Sequence, residues 1–272
     1  MRTLVHISDL HFGRIDEALI APLTSLIHNV RPDVVVVSGD LTQRARTGQF
    51  MAARRFLDAL PMPQIIVPGN HDIPLYNLFG RFAQPLKKYQ LLITNDLEPF
   101  YVDDEIAVIG VNTARSLTLK NGRVNEAQLG RVRERLCALG DHIAKIVVTH
   151  HPFDLPARLG GHELVGRAPL AMKLFASCRI DMLLAGHLHA SHAGNTTERY
   201  RFGDYSAIAV QAGTATSTRG RGESNSFNVI RVGAGRIVVE HMSWQSDREA
   251  FVCVTTEVFT PAPGGWARSG GP

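Results

Sequence analysis

Short apolar runs separated by amphipathic stretches dominate the first two thirds of the chain. The runs, each expected to be a buried strand, are residues 4–7, 34–37, 65–67, 146–148 and 182–185. Patterns with helical spacing cover about 16–30, 47–60, 75–90 and 125–140. Continuous Val and Ile runs that alternate with helices are typical of a parallel sheet covered on both faces. The pattern therefore predicts an α/β fold.

Further along the chain the pattern changes to strands. Strands are predicted at 207–212, 226–232, 237–243 and 251–258, and a hairpin at 100–103 and 106–111 around Asp103-Asp104. The last residues, 261–272, are rich in Gly and Pro and are expected to be disordered. With 272 residues, 44% of them hydrophobic, the chain can bury a sizeable core. We therefore expect one domain over 1–260 and a disordered tail.

Polar clusters follow the five apolar runs of the α/β part. They are Asp9-Leu10-His11, Gly39-Asp40, Gly69-Asn70-His71-Asp72, His150-His151-Pro152 and Gly186-His187-Leu188-His189. In open α/β sheets, ligands bind at the carboxyl ends of the strands. The clusters are therefore expected to converge on one site.

The residue types in these clusters indicate a metal centre. Seven side chains are candidate ligands: Asp9, His11, Asp40, Asn70, His150, His187 and His189. Their oxygen and imidazole donors suit metals such as Mn, Fe, Zn or Co. Seven ligands are too many for one tetrahedral ion and suit two ions that share a carboxylate. Two ions roughly 3.5–4 Å apart can clamp the attacking and leaving oxygens of a phosphoryl transfer.

The five motifs, in this order over residues 3–189, resemble those of the calcineurin-like metallophosphoesterase superfamily. The surrounding residues, His6 to Phe12 and Gly39 to Thr42, resemble bacterial class III cyclic-nucleotide phosphodiesterase-like members. The resemblance implies a four-layer α-β-β-α sandwich of the metallophosphoesterase type, in which the C-terminal strands complete the second sheet.

The resemblance also implies a role for each site residue. Asp9, His11, Asp40 and His189 would hold one metal ion, and Asp40, Asn70, His150 and His187 the other, with Asp40 bridging. The ions would be divalent or trivalent. His71 would contact the scissile phosphate or the leaving oxygen, and Asp72 would be its supporting acid. The expected reaction is attack of a metal-bound hydroxide on the phosphorus of a phosphodiester.

Substrate identity is less well determined by the sequence. A cyclic nucleotide such as cAMP is favoured, and the alternatives are a glycerophosphodiester, a phospholipid precursor, a nucleotide pyrophosphate, or an inactive metal-binding scaffold. Phe12, Tyr76 and Phe153 could stack on a base or belong to the core. Whether Arg115 or His192 contacts the substrate stays open. His6 is interpreted as an ordinary hydrogen-bonded residue, and His150 is preferred to His151 as the ligand.

Net charge and composition make some partners and cellular locations less expected. The formal net charge of +4 is mild, and the basic segment Thr218-Arg219-Gly220-Arg221-Gly222 lacks interleaved aromatics, so nucleic acid is not expected as the principal partner. No stretch approaches the ~20 apolar residues of a membrane span. Cys137, Cys178 and Cys253 lack C-x-x-C spacing and are expected to be free, buried thiols in a reducing compartment. We therefore expect a cytoplasmic enzyme of small phosphodiesters, and leave open whether it forms a homo-oligomer.

Overall fold

Two β-sheets form the centre of the protein. The computed structural model describes residues 1–117, 121–155, 164–196, 199–200, 202, 205–219 and 223–269. The strands are β1 (Arg2–Ile7), β2 (Val34–Ser38), β3 (Gln64–Val67), β4 (Phe100–Val102), β5 (Ile106–Gly110), β6 (Ala144–Val148), β7 (Met182–Ala185), β8 (His192–Asn195), β9 (Ile208–Gln211), β10 (Ser226–Gly233), β11 (Arg236–Gln245), β12 (Ala250–Ala262) and β13 (Gly265–Arg268). The helices are α1 (Ile20–Val30), α2 (Thr47–Asp58), α3 (Leu78–Ala83), α4 (Lys87–Leu92), α5 (Glu126–Leu136) and α6 (Ala168–Cys178).

Each sheet contains a parallel part that carries polar clusters. The first sheet has the order β13-β12-β11-β10-β1-β2-β3, in which β1, β2 and β3 are parallel and β10 joins β1 antiparallel. The second has the order β4-β5-β6-β7-β9-β8, in which β5, β6, β7 and β9 are parallel. The C-terminal strands β10, β11 and β12 were expected to complete the second sheet, and this was wrong: they extend the first sheet, because β10 pairs antiparallel with β1. The earlier strand β9 joins the second sheet next to β7.

The sheets pack face to face and helices cover their outer faces. On β2, Val34 and Val36 belong to the cluster between the sheets, whereas Val35 and Val37 pack against the helical side. This alternation follows from the two-residue period of a strand. Phe50 of α2 lies in the outer cluster of the first sheet, and Phe175 of α6 in that of the second. The predicted four-layer α-β-β-α arrangement is confirmed.

The C-terminal residues differ from the prediction. Strand β12 continues to Ala262, and β13 pairs with it so that Pro261 faces Trp266. Gly264 and Gly265 turn the chain at φ values of 93° and 107°, which glycine adopts readily. The prediction of a disordered tail was therefore wrong for residues 261–268, because the glycines mark a hairpin turn. Residues 270–272 lie outside the described residues.

The predicted helix over 75–90 is interrupted. It consists of the short helices α3 and α4, and α3 ends at Ala83, with Gln84, the residue before Pro85, as its C-cap. Proline lacks the N–H that a helix needs, and its ring disfavours a helical conformation at the preceding residue. The helical pattern was recognised correctly, and its break follows from this proline.

The cysteines also differ from the prediction. Cys137 and Cys178 form a disulfide bond that joins the ends of α5 and α6, and Cys253 is exposed. The prediction of three free, buried thiols was therefore wrong, because packing of the two helices brings together cysteines 41 residues apart. The disulfide removes the cysteine argument for a reducing compartment, and the cytoplasmic location stays a prediction. Among the described residues, no helix combines the length and the apolar character that crossing a bilayer requires.

Candidate metal centre

The polar clusters converge at the carboxyl edge that the two sheets share. The backbone N–H of Asp9 donates to Gly39 O at 3.1 Å, which joins the clusters after β1 and β2. The N–H of His187 donates to Asp9 Oδ2 at 2.9 Å and links the first sheet to the second. His150, after β6, reaches across to Ser38 O with its Nδ1 at 2.8 Å. The predicted convergence of strand ends is therefore present.

Much of the centre is built from residues in the left-handed backbone conformation. The candidate ligands with positive φ are Asp9 (53°), His11 (52°), Asp40 (54°), His187 (76°) and His189 (59°). Residues with a Cβ rarely adopt this conformation, and it persists only where the surroundings impose it. The motif glycines allow the required close approach: a Cβ on Gly186 would lie 2.6 Å from Asp9 Oδ2.

One group of donors comprises Asp9, His11 and His189, which are all buried. The Nε2 atoms of His11 and His189 lie 3.3 Å apart, and Asp9 Oδ1 is 3.6 Å and 3.3 Å from them. Asp9 Oδ1 has no hydrogen-bond partner among the described residues. A buried carboxylate oxygen without a donor is costly, and a cation would satisfy it. These residues therefore fit a metal ion.

A second group is centred on Asp40 and His150. Asp40 Oδ2 lies 3.4 Å from His150 Nε2 and 3.7 Å from His11 Nε2, so it stands between the two groups as a bridging ligand would. Asn70 Oδ1 is 3.1 Å from His150 Nε2, and the ring of His187 is 5.1 Å from that of His150. The structure thus brings all seven candidate ligands together. Their division between two ions stays a prediction.

His151 lies next to these ligands, and its ring contacts a threonine hydroxyl. Its Nδ1 lies 2.8 Å from Thr113 Oγ1, although the residue could also join a metal site with His150 and His187. His6 is buried and contacts Ser38 Oγ through Nε2 at 2.9 Å, in agreement with its interpretation as a hydrogen-bonded residue.

The charges of the site favour cations. Burial opposes ionisation of Asp40, but the imidazoles, His150 first, hold the pKa of its carboxyl well below the usual range. Burial likewise opposes protonation of His150, yet the Asp40 carboxylate outweighs it and raises the pKa of His150 to about 9. Burial, reinforced by His150, lowers the pKa of His187 to about 4. The carboxylates are thus ionised, and metal ions would displace the proton from His150.

His71 lies beside the ligands with its ring edge against His11, at 4.9 Å between centroids. Its backbone N–H donates to Asp40 Oδ1 at 2.8 Å. Gln43 O lies 3.0 Å from Nδ1 and can only accept, so this nitrogen carries a hydrogen and Nε2 acts as an acceptor. Burial lowers the pKa of His71, against the attraction of Asp40.

Asp72 connects two of the motif loops. One carboxylate oxygen accepts from Thr42 N at 2.9 Å and the other from Leu41 N at 3.1 Å and Gly69 N at 2.9 Å. Burial, with the charge of Asp40 next, raises its pKa to about 6. Support for the ring of His71 comes instead from Gln43 O. Asp72 is therefore a positioning residue rather than the supporting acid that the resemblance implied.

Two arginines near His71 were not predicted as site residues. Arg219 Nη1 lies 3.0 Å from His71 Nε2, and Arg44 Nη1 lies 3.3 Å from His71 Nδ1. The sequence signals were weak: Arg44 lies in the loop after Gly39-Asp40, and Arg219 belongs to the basic segment that was considered only for nucleic acid.

Arg115 and His192, whose contact with the substrate the sequence left open, line cavities whose walls include none of the seven candidate ligands. Arg115 donates to Ala114 O at 2.8 Å and to Gln128 Oε1 of α5, and it lines a cavity of about 380 Å³ with Glu98 and Arg131. His192, in β8, lines another cavity of about 160 Å³ with Asn228 and His241.

The aromatic residues considered for base stacking differ in exposure. Phe12 packs against Phe56 at 5.7 Å between ring centroids, and Phe153 against Phe175 at 4.9 Å, and both are buried. Tyr76 is 78% exposed. Phe12 and Phe153 are therefore core residues, and Tyr76 is the one of the three that solvent can reach.

The fold and the convergence of Asp, His and Asn donors, most of them buried, are those of a metal-dependent hydrolase. The chain belongs to the calcineurin-like phosphoesterase family, whose sequence profile matches residues 2–191. The predicted resemblance is thereby confirmed, as is the prediction of a metal-dependent phosphoric ester hydrolase. Membership of this family implies two metal ions.

The chain is similar to proteins with two different names. It is 42% identical over 212 residues to "Glycerophosphodiester phosphodiesterase GpdQ" of Enterobacter lignolyticus, covering 70% of this chain and 75% of that protein. It is 24% identical over 134 residues to a "Probable cyclic nucleotide phosphodiesterase" of Ruthia magnifica, covering 42% and 56%. Among solved structures, purple acid phosphatase PPD1 from yellow lupin aligns with a TM-score of 0.72 at 12% identity, over 95% of this chain and 53% of that one. This last likeness shows the fold alone.

Proposed function

We propose that the protein hydrolyses small phosphodiesters at a binuclear metal centre. The observation that carries the proposal is the position of Asp40 between the two groups of donors, 3.4 Å from His150 Nε2 and 3.7 Å from His11 Nε2. The ligands would be Asp9, His11, Asp40 and His189 for one ion, and Asp40, Asn70, His150 and His187 for the other. Such ions, which could be Mn, Fe, Zn or Co, supply Lewis-acid polarisation of the phosphoryl group.

His71 is the residue proposed to act on the leaving group. Its ring lies beside the ligand cluster, and Gln43 O fixes its tautomer through Nδ1. Nε2 is therefore the nitrogen that can face a phosphoryl or leaving oxygen after rearrangement of Arg219, and it can donate to that oxygen only when the ring carries a proton on both nitrogens. Asp72 holds the loop that carries His71 by accepting from the backbone of Leu41 and Thr42.

A glycerophosphodiester is the first candidate substrate. The relative that bears this activity in its name is 42% identical and covers 70% of the chain. The exposure of the aromatic residues supports the same choice. Two of the three side chains considered for base stacking, Phe12 and Phe153, are buried in the core.

A cyclic nucleotide such as cAMP is the second candidate. The relatives from Ruthia magnifica and Vesicomyosocius okutanii are named as probable enzymes of this class, at 24% and 26% identity. The residues around the first two motifs pointed to the same class, and Tyr76 is exposed.

The deciding experiment compares kcat/KM of the metal-loaded enzyme for four compounds. These are bis(p-nitrophenyl) phosphate, sn-glycero-3-phosphoethanolamine, 3′,5′-cyclic AMP and 5′-AMP, each with and without manganese. Asp40→Asn should abolish turnover, and Asp58→Asn, a change at an exposed acid of α2, should not. Preference for 5′-AMP would overturn the diesterase proposal, and absence of turnover with every compound would favour a metal-binding scaffold.

A further inference from the structure

Two arginines from distant loops approach the same imidazole. Arg44 lies in the loop from β2 to α2, and Arg219 in the loop from β9 to β10. Their Nη1 atoms lie 3.3 Å from Nδ1 and 3.0 Å from Nε2 of His71. Both arginines are half-buried. Two guanidinium groups thus stand at the edge of the metal centre, beside the residue expected to face the leaving oxygen.

The backbone holds both arginines in place. Arg44 N donates to Gln49 Oε1 at 2.9 Å. Arg219 N donates to Ser217 Oγ at 3.1 Å, and the preceding residue, Thr218, donates its N–H to Arg14 O at 3.1 Å. The loop that carries Arg219 is therefore tied to the loop that follows His11. Arg44, four residues beyond Asp40, is therefore anchored to the start of α2, and Arg219 to the segment that follows His11.

The charges of these two arginines are not balanced. Some arginines of the chain have acidic partners, such as Arg54 with Asp58 at 2.7 Å and Arg199 with Asp154 at 3.1 Å. Within the part of the chain that the structure describes, no carboxylate lies within 4.0 Å of the guanidinium of Arg44 or Arg219. A neutral imidazole does not neutralise a guanidinium. Burial lowers the pKa of Arg219, and Arg44 and Arg14 add to this effect against the attraction of Asp40.

The excess charge has a consequence for the substrate. Only two of the seven candidate metal ligands, Asp9 and Asp40, are carboxylates. Two divalent ions on such a centre already provide enough positive charge for the single negative charge of a diester. The guanidinium groups add charge beyond that requirement, and their forked donors match a carboxylate or a phosphate.

We propose that Arg44 and Arg219 form a second anion subsite, which binds a negatively charged group attached to an alcohol of the phosphodiester. The inference rests on the phosphodiesterase function proposed above and narrows it to diesters with an additional carboxylate or phosphate. On binding, Arg219 exchanges its hydrogen bond to His71 Nε2, and Arg44 its hydrogen bond to Gln43 O at 3.1 Å, for contacts with that anion. This leaves His71 Nε2 free to face the leaving oxygen.

The test uses two diesters that differ by one carboxylate, sn-glycero-3-phosphoserine and sn-glycero-3-phosphoethanolamine. The wild type should have the higher kcat/KM for the phosphoserine diester. Arg219→Gln and Arg44→Gln should each reduce that preference about 10–100-fold, the range expected for loss of a hydrogen bond between charged groups. The change should appear mainly in KM. Arg219→Lys keeps the charge but loses the fork, and should give a smaller reduction.

A binding measurement separates this inference from the proposed function. Isothermal titration calorimetry of the metal-loaded protein with phosphoserine and phosphoethanolamine should show the same preference, lost in both Gln variants. If the wild type hydrolyses no diester, the proposed function fails, whereas a calorimetric preference that depends on the arginines still supports the subsite.

Other outcomes would overturn the subsite. Equal losses for both diesters and for bis(p-nitrophenyl) phosphate would show that the arginines hold the scissile phosphate. A loss largest with 5′-AMP would show the same. Unchanged preferences in both Gln variants would show that the arginines bind no substrate group. Arg55→Gln, at an exposed position of α2, is the matched control, and thermal unfolding checks that each variant folds.

Discussion

The Nε2 atoms of His11 and His189 face each other across 3.3 Å, with the carboxylate of Asp9 directed at the same point. The two histidines are 178 residues apart in the chain and come from different sheets. Two imidazole nitrogens this close form a hydrogen bond only when one of them carries a hydrogen and the other does not. A shared cation, in contrast, accepts a lone pair from each nitrogen and from the carboxylate of Asp9.

Metal content should depend most strongly on Asp40. The wild type should bind two ions per chain, His189→Ala should lose one, and Asp40→Ala should lose both, because Asp40 lies within reach of both donor groups. Metal at 100 times its Kd should stabilise the wild type by about 2.7 kcal/mol for each site. Elemental analysis and thermal unfolding, with and without a chelator, measure both effects. A single ion in fully active enzyme would contradict the binuclear centre.

His71→Ala should retain both metal ions and lose turnover by about 10²–10⁴-fold, the usual range for a proton-transfer group. The reason is its position beside the ligands, with Nδ1 held by Gln43 O. Elemental analysis and kcat on a glycerophosphodiester measure the two properties, with His142→Ala at an exposed position as control.

A change of leaving group distinguishes proton transfer by His71 from electrostatic stabilisation by it. If His71 protonates the leaving oxygen, the defect should be much smaller with bis(p-nitrophenyl) phosphate, whose leaving group needs no proton. An equal defect with both substrates would indicate electrostatic stabilisation, and loss of a metal ion would show that His71 is a ligand.

Asp72→Asn should weaken the site without changing its chemistry. The carboxylate oxygens accept hydrogen bonds from the backbone N–H groups of Leu41, Thr42 and Gly69. In asparagine one of these oxygens is replaced by an NH2 group, which would face backbone N–H groups that need an acceptor. A buried donor without an acceptor costs about 1–3 kcal/mol. We expect a free energy of unfolding lower by that amount and weaker metal binding, with kcat restored at saturating metal. Asp104→Asn, at an exposed position between β4 and β5, is the control. A kcat that stays low at saturating metal would restore Asp72 as a chemical partner of His71.

The candidate ligands could be predicted because each lies within a few residues of the end of an apolar strand. The local sequence therefore determines both the strand and its polar end. Arg219 could not be predicted in this way. It lies 30 residues beyond His189, and only the path of the chain through β8 and β9 brings it to His71.

Similar reasoning explains the errors in the fold. The pairing of Cys137 with Cys178 depends on how α5 and α6 pack, which helical periodicity does not specify. The hairpin of β12 and β13 is held by tertiary contacts such as that of Trp266 Nε1 with Asp181 Oδ1 at 2.8 Å. These contacts are not visible in the composition of residues 261–272, which therefore resembled a disordered segment.

Stability at acid pH should depend on His6. Burial lowers its pKa to about 3 in the folded protein, from an ordinary value of 6.5. The unfolded chain thus binds the proton more tightly, so the stabilisation is complete above about pH 6.5 and is lost as the pH falls towards 3. The loss from this residue should reach about 3 kcal/mol at pH 4. His6→Gln should have a lower free energy of unfolding at pH 7, because its packing is imperfect, but a shallower decline between pH 6.5 and 4. Urea unfolding of the metal-free protein over this range measures the slope, and His28→Gln, at an exposed histidine of α1, should decline as the wild type does. Parallel slopes for wild type and His6→Gln would show that His6 is protonated in the folded state.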